Sequence, residues 1–279
     1  MTVYNFIKKL PHFKGKFRLI RLLFKKKLSA PGDVCIEGKY GLKYNIPNLK
    51  ENIGFEIFSD GIYEPATSAL IIEKLPSKGV LLDIGANIGS IVLPVCKKRP
   101  DIRAICIEAS PRVFSYLEKN IEINKIENCI LINGIVSEKD NVSTDFFSPV
   151  ELFGKGSVSP VFTAVPEKVE AMMVDSLLDK LNIRKVNFIK IDIEGYEFFA
   201  FKGAEKLLTG VDAPDILFEF LDWAESLPAG LKPGDAQKLL LSYGYTLFSI
   251  DNKSKISYLS KPMIKGEAML FASKNNHVR

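Results

Sequence analysis

Histidine is almost missing from this sequence. Its 279 residues include two, His12 and His277, one near each end, so a histidine base in the middle of the chain is excluded unless an end folds over the site. Cysteine is sparse as well. Cys35, Cys96, Cys106 and Cys129 show no C-x-x-C spacing, which argues against a structural zinc and for thiols that pack as small hydrophobes in a reducing compartment. No apolar run approaches the roughly 20 residues that span a bilayer, and no apolar stretch with a small-residue cleavage site opens the chain. A cytoplasmic protein is expected. The G-x-G-x-x-G fingerprint of pyrophosphate-binding dinucleotide folds is also absent, which weakens an NAD-dependent oxidoreductase as a reading. There is no internal repeat and no low-complexity tract.

Charge is present but unevenly placed. Residues 1–28 carry nine basic side chains, Lys8, Lys9, Lys14, Lys16, Arg18, Arg21, Lys25, Lys26 and Lys27, and no acid. Without those nine the formal charge of +5 becomes −4, so the basic balance describes an arm, and no nucleic acid partner is expected for the body. Within the arm, Phe17, Ile20, Leu23 and Phe24 recur at helical spacing among the basic residues. That pattern suits peripheral contact with an anionic membrane, at the inner face if the protein is cytoplasmic, or equally a helix packed on the body with a solvated basic face.

Residues 29–66 read as a small cap with a hairpin over Val34 to Ile46, followed by a helix over Thr67 to Leu75. From residue 80 strands and helices alternate with short connections, the pattern of parallel βαβ units covered on both faces. Strands are expected over Val80–Ile84, Arg103–Glu108, Cys129–Val136, Val169–Val174, Val186–Ile193, Ile216–Phe220, Tyr245–Ile250 and Ala268–Ala272. Helices are expected over Ile88–Lys98, Pro111–Asn124 with Ser110 as N-cap, Ser176–Leu181, Glu197–Leu208 and Asp235–Ser242. Residues 137–166, rich in Gly, Ser and Pro, interrupt the rhythm as a surface insertion with two short strands. The main domain is thus expected over residues 67–279.

Three segments carry chemistry. Asp83-Ile84-Gly85-Ala86-Asn87-Ile88-Gly89 puts a carboxylate at the end of a buried strand and glycines where the backbone must turn and let a ligand approach. Glu108 ends the next apolar strand, where an acid can accept hydrogen bonds from ribose hydroxyls, with Ala109 beside it. Together they indicate an adenosine-type ligand; separately they read as an ordinary strand–helix connection and a solvated strand-end acid. In Val186 to Glu197, Lys190, Asp192 and Glu194 alternate with isoleucines, so strand periodicity places all three charges on one face. Central parallel strands are normally apolar, and burying such charges is costly unless they are paired or used. Glu219, alone among apolar neighbours in Ile216 to Phe220, is expected beside them. A structural alternative is a Lys190–Asp192 or Lys190–Glu219 pair tying strands together.

The turn DIGANIG, the glutamate in Ile107-Glu108-Ala109-Ser110-Pro111, the run KIDIEGYE with Phe201-Lys202-Gly203, the lead-in Asp60 to Pro65, and Val174 to Leu178 together resemble the FkbM-type methyltransferases over roughly residues 54–222. The resemblance implies an α/β, Rossmann-like class I methyltransferase with a seven-stranded, mostly parallel sheet of order 3-2-1-4-5-7-6 and helices on both faces. It also implies S-adenosylmethionine as donor and transfer to a hydroxyl of a sugar, glycan or polyketide. On that reading Glu64, Asp83, Gly85, Ala86, Asn87, Gly89, Glu108, Ala109 and Asp192 bind the cofactor, with Glu64 facing its amino group. Asp192 or Glu194 contacts the acceptor or acts as base, oriented by Lys190 or Glu219. No metal site is assigned, although hard carboxylate ligands of this kind suit Mg²⁺. The rivals are an RNA or protein methyltransferase and a non-catalytic membrane-binding module.

Overall fold

The computed structural model describes Phe13, residues 15–251 and residues 255–275; His12, His277 and the first basic residues of the arm lie outside the described residues. The strands in chain order are β1 (Val34–Glu37), β2 (Lys43–Ile46), β3 (Val80–Ile84), β4 (Arg103–Glu108), β5 (Cys129–Asn133), β6 (Ile135–Val136), β7 (Val142–Phe146), β8 (Glu167–Met172), β9 (Phe188–Ile191), β10 (Asp215–Leu221), β11 (Thr246–Ile250), β12 (Ile256–Tyr258) and β13 (Glu267–Ser273). The main sheet runs β5-β4-β3-β9-β10-β13-β11-β12. It is parallel from β5 to β10, and β13 is antiparallel to both its neighbours. Its first seven strands follow the expected order 3-2-1-4-5-7-6. The sheet has eight strands rather than seven, because Ile256–Tyr258 pairs antiparallel with β11 at the edge.

Side chains of the central strands alternate between two cores. Leu81, Phe188 and Leu217 belong to one, with Ile20, Leu42, Phe55, Leu93 and Leu117. Leu82, Ile84, Ile189, Ile191, Ile216 and Phe218 belong to the other, with Val174, Phe201 and Leu240. The first core is covered by helices Asn52–Asp60, Val92–Lys98 and Pro111–Ile123; the second by Val174–Lys180, Glu197–Lys202 and Asp235–Ser242. Period-two alternation therefore puts Asp83, Lys190 and Glu219 on the first face, one step beyond Leu81, Phe188 and Leu217.

Residues 16–28 also belong to that face. The helix Lys16–Leu23 buries Ile20, sets Phe17 against Phe55 and Phe24 against Phe58, and pairs buried Lys16 with Asp60 at 2.6 Å. A later helix on the same face, Asn52–Asp60, went unread in the sequence; the Glu51 carboxylate caps it by accepting from the Ile53 amide at 2.7 Å.

Several boundaries differ from the sequence reading for identifiable reasons. The helix after the glycine turn starts at Val92, because Pro94 lacks an N–H and fits only the first turn. The third strand breaks at Gly134: Ile135–Val136 leave the main sheet and join a small sheet of order β6-β8-β7. Residues 137–166 contribute one strand, β7, and an isolated bridge between Phe147 and Ser157 in place of two strands. The expected helix Glu197–Leu208 is two helices, Glu197–Lys202 and Glu205–Thr209, separated near Gly203. Cys96 and Cys129 meet at 3.3 Å, and all four cysteines are free.

Candidate functional site

The turn after β3 is fixed by its glycine. Gly85 has φ 79°, a Cβ there would collide with the Asp192 carbonyl oxygen, and its amide and that of Ala86 both donate to Ile107 O at 2.9 Å. No residue with a side chain fits a backbone so close to its neighbour. Next to it, Glu108 is 6% exposed and accepts from Asn87 N with one carboxylate oxygen and from Ser110 N with the other, each at 2.9 Å. Burial pushes its acid up to about 7 against those two amides. Each oxygen has one amide donor and the capacity to accept a further hydrogen bond, and Glu108 lines the cavity.

On the far side of β3 lies the charged group, and strand register builds it. Asp83 and Lys190 are partners in the parallel β3–β9 pair. In the buried interior the Lys190 ammonium donates to Gly85 O at 2.9 Å and lies 3.4 Å from Asp83 and 3.8 Å from Asp192. Burial alone would lower the lysine; Asp83, Asp192 and Glu64 outweigh it and raise it, so it is a fixed cation. Leu217 partners Lys190 across β9 and β10, so Glu219, two residues on, falls level with Asp192. The strand that holds Lys190 ends at Ile191 rather than the expected Ile193, so Asp192 falls outside it together with Glu194. Asp192 and Glu194 lie in the turn that follows, where Glu194 takes φ 52° and Gly195 φ 92°. The turn nevertheless folds them back: one carboxylate oxygen each from Asp192, Glu194 and Glu219 lie within 4.8 Å of one another. Burial, then Asp192 and Glu194, push Glu219 up to about 10.

One cavity joins the two halves, with an empty volume of about 1140 Å³ counted to its open mouth. Glu64, Gly85, Ala86, Asn87, Glu108 and Ala109 line it, as do Lys190, Asp192, Glu194 and Glu219. Asp83, 1% exposed, sits behind the wall with Lys190, and Gly89 packs against Leu93 and Leu117 away from the cavity. Glu64, held by Thr67 Oγ1 at 3.0 Å, has its acid raised by burial and then by Asp192, with Lys190 opposing. Three lining residues, Glu64, Asn87 and Glu194, are non-glycine residues at positive φ. Such backbone costs of order 1 kcal/mol or more each and gathers where a site, rather than packing, sets the geometry.

The sequence reading missed the far wall. Tyr63, Phe146, Phe153, Lys155 and Tyr196 line the cavity, three of them from the 137–166 insertion. The Lys155 ammonium donates to Glu194 Oε1 at 2.7 Å. Its signal was the flanking pair Gly154 and Gly156: a Cβ on either would lie 2.7 Å from Glu51 Oε1 or 2.6 Å from the Phe146 ring, so the pair lets the insertion press onto the body.

The model of the Methyltransferase FkbM domain matches residues 83–247, more than half of the chain. The chain belongs to the FkbM methyltransferase family. Membership brings S-adenosylmethionine as the methyl donor. Among curated relatives, the hexuronic acid methyltransferase AglP of Haloferax volcanii is 27% identical over 171 residues, 61% of this chain and 65% of that enzyme. Methyltransferase 1 of Beauveria bassiana is 24% identical over 184 residues, 58% of this chain and 71% of its own. The chain thus spans just under two thirds of the hexuronic acid enzyme. Among solved structures, P. horikoshii TYW2 in complex with MeSAdo is similar over 93% of this chain and 83% of its own, at 14% identity and a TM-score of 0.45.

Proposed function

We propose that this FkbM-family chain is an S-adenosylmethionine-dependent O-methyltransferase acting on a hydroxyl of a sugar, glycan or related small metabolite. The observation that carries it is the meeting, in one cavity, of the Glu108 cradle on β4 and the Asp192–Glu194–Glu219 group at the ends of β9 and β10. They lie on opposite sides of β3, where the strand order reverses and α/β sheets place their ligands. The name of the Haloferax volcanii relative supports a sugar acceptor.

S-adenosylmethionine supplies a methyl group on a sulfonium centre. Glu108 is placed to hold ribose hydroxyls, the Gly85–Asn87 backbone to give the ligand close approach, and Glu64 and Asp192 to face its positive groups. Excess acid in the cavity favours a cationic donor. On the β9–β10 side, Asp192 or Glu194 takes the proton of the acceptor hydroxyl, a contribution of roughly 10²- to 10⁴-fold for a well-placed base. Lys190 and Glu219 position them. With His12 and His277 outside the described residues, the carboxylates are the base candidates the described cavity offers. An RNA acceptor would bring phosphates to a lining with more acids than lysines, which disfavours it. The test is donor binding by calorimetry, S-adenosylmethionine against NAD, followed by mass analysis of a panel of hydroxyl acceptors. Preference for NAD, or methylation of RNA alone, would sink the reading.

The cytoplasmic placement is part of the proposal, as is contact with an anionic membrane. Leu19, Leu22 and Leu23 are exposed on one side of the Lys16–Leu23 helix, Leu22 at 74%, with Arg18, Lys25 and Lys26 exposed around them. No helix of the described residues is long and apolar enough to cross a membrane. Apolar residues ringed by basic ones suit an anionic lipid surface. Co-sedimentation with anionic vesicles checks this, and equal recovery of wild type and Leu22→Ser/Leu23→Ser would refute it.

A further inference from the structure

We propose that Asp192, Glu194 and Glu219 form a binding site for one divalent cation of the oxygen-preferring kind, Mg²⁺ or Mn²⁺, on the β9–β10 side of the cavity. Two independent observations carry it. The first is convergence: one oxygen from each carboxylate lies within 4.8 Å of the other two, at the ends of adjacent parallel strands and open to the cavity. The second is an unanswered oxygen. Glu194 is 6% exposed; its Oε1 receives Lys155, while its Oε2 is buried with no hydrogen-bond partner among the described residues, and Glu219 Oε2 is in the same condition. A buried carboxylate oxygen normally finds a donor.

The neighbouring cations are already engaged elsewhere. Lys190 is held by Gly85 O and Asp83 and reaches Asp192 only at 3.8 Å. Lys155 serves the other oxygen of Glu194, and no cationic nitrogen lies within ion-pair distance of Glu219 among the described residues. What the two free oxygens of Glu194 and Glu219 share with the Asp192 carboxylate is a demand for positive charge. Hard divalent ions take carboxylate oxygens, and Mg²⁺ or Mn²⁺ held by three protein ligands keeps further positions for water or ligand oxygens. The site stands without any choice of acceptor. Its consequence rests on the proposed reading: a cation there would let a sugar acid approach a cavity lined by Glu51, Glu64, Glu108 and these three acids.

The test uses the full chain, stripped of metal and titrated with MnCl₂ alone, with free Mn²⁺ followed by electron paramagnetic resonance. The expected result is one saturable Mn²⁺ per chain, displaced by Mg²⁺, and weakened at least about tenfold in Glu219→Gln and in Asp192→Asn. Circular dichroism and melting temperature establish that each variant is folded, and Asp192→Asn is the second route if Glu219→Gln does not fold. Absence of saturable binding in the wild type, or binding unchanged in a folded variant of either residue, overturns the proposal. Neither donor nor acceptor is in the titration, so failure of the methyltransferase reading would show separately, as loss of S-adenosylmethionine binding.

Discussion

The proposed contact of Glu108 with the donor would tie donor binding to pH. Its acid sits at about 7 because it is buried, and ribose hydroxyls donating to it would favour the carboxylate, so donor binding should expel a proton where Glu108 is protonated. S-adenosylmethionine affinity should therefore rise between about pH 6 and about pH 8 in calorimetry. Glu108→Gln should weaken it roughly tenfold or more and flatten that dependence, since a charge-assisted acceptor is lost. The two acids across the cavity should behave differently. Glu194→Gln is expected to lower kcat by roughly 10² or more with donor affinity near wild type, and Asp192→Asn, at a residue that also faces the donor, to lower kcat and donor affinity together; normal turnover in both would remove them from the chemistry. The residue types of this group were legible in the sequence because an alternating Lys-x-Asp-x-Glu has no packing reason in a central strand. Their partners were legible only in part: the Lys190–Asp192 pair offered by the sequence forms at 3.8 Å, whereas the Lys190–Glu219 pair does not form. The Asp83–Lys190 pairing needed the β3–β9 register, and the Lys155–Glu194 bond joins residues 39 apart in sequence, across an insertion with no periodic pattern.

Among the elements, the turn after β3 is the one with least tolerance. Gly85→Ala would need a positive φ and would drive its methyl into the Asp192 carbonyl, so it should cost about 2–4 kcal/mol in urea melts and abolish donor binding. Stability within 0.5 kcal/mol of wild type would show the turn to be slack. The order of the first seven strands was an expectation from the family resemblance; βαβ alternation by itself indicated a parallel sheet covered on both faces. Less readable were elements whose local pattern was overruled. The strand expected to reach Ile193 stops at Ile191 because Glu194 and Gly195 turn left-handed. Edge strand Ile256–Tyr258 is three residues long and mostly exposed, too short for an alternation signal. The helix Asn52–Asp60 is buried over most of its surface, and in nine residues its polar side is marked by only Asn52, Glu56 and Asp60, a short signal to set against the apolar remainder.

Across the whole molecule, buried acids set the response to pH. Glu197, 1% exposed, is raised to about 8 and Glu225, 3% exposed, to about 7, both by burial first. The folded chain then holds protons that the unfolded chain, near the ordinary 4.5, has released. Their contribution to stability is complete below about pH 4.5 and is lost as pH rises through about 7 to 8. Melting temperature without ligand should fall from about pH 4.5 to about pH 8 through these two groups, and Glu197→Gln should reduce that fall. The N-terminal helix is part of the same stability: Ile20, 2% exposed in the first core, should cost about 2–5 kcal/mol on replacement by alanine. Donor chemistry, acceptor chemistry and family membership all meet in the claim that this cavity moves a methyl group onto an oxygen. The most direct test is to incubate the full chain with isotope-labelled S-adenosylmethionine and a panel of neutral and acidic sugars, with and without Mg²⁺, and to locate the label by mass spectrometry. The account predicts one labelled methyl on an oxygen of a carbohydrate, formed much more slowly by Glu108→Gln and by Asp192→Asn. Label confined to RNA or protein, or carbohydrate labelling unaffected by both substitutions, would contradict it.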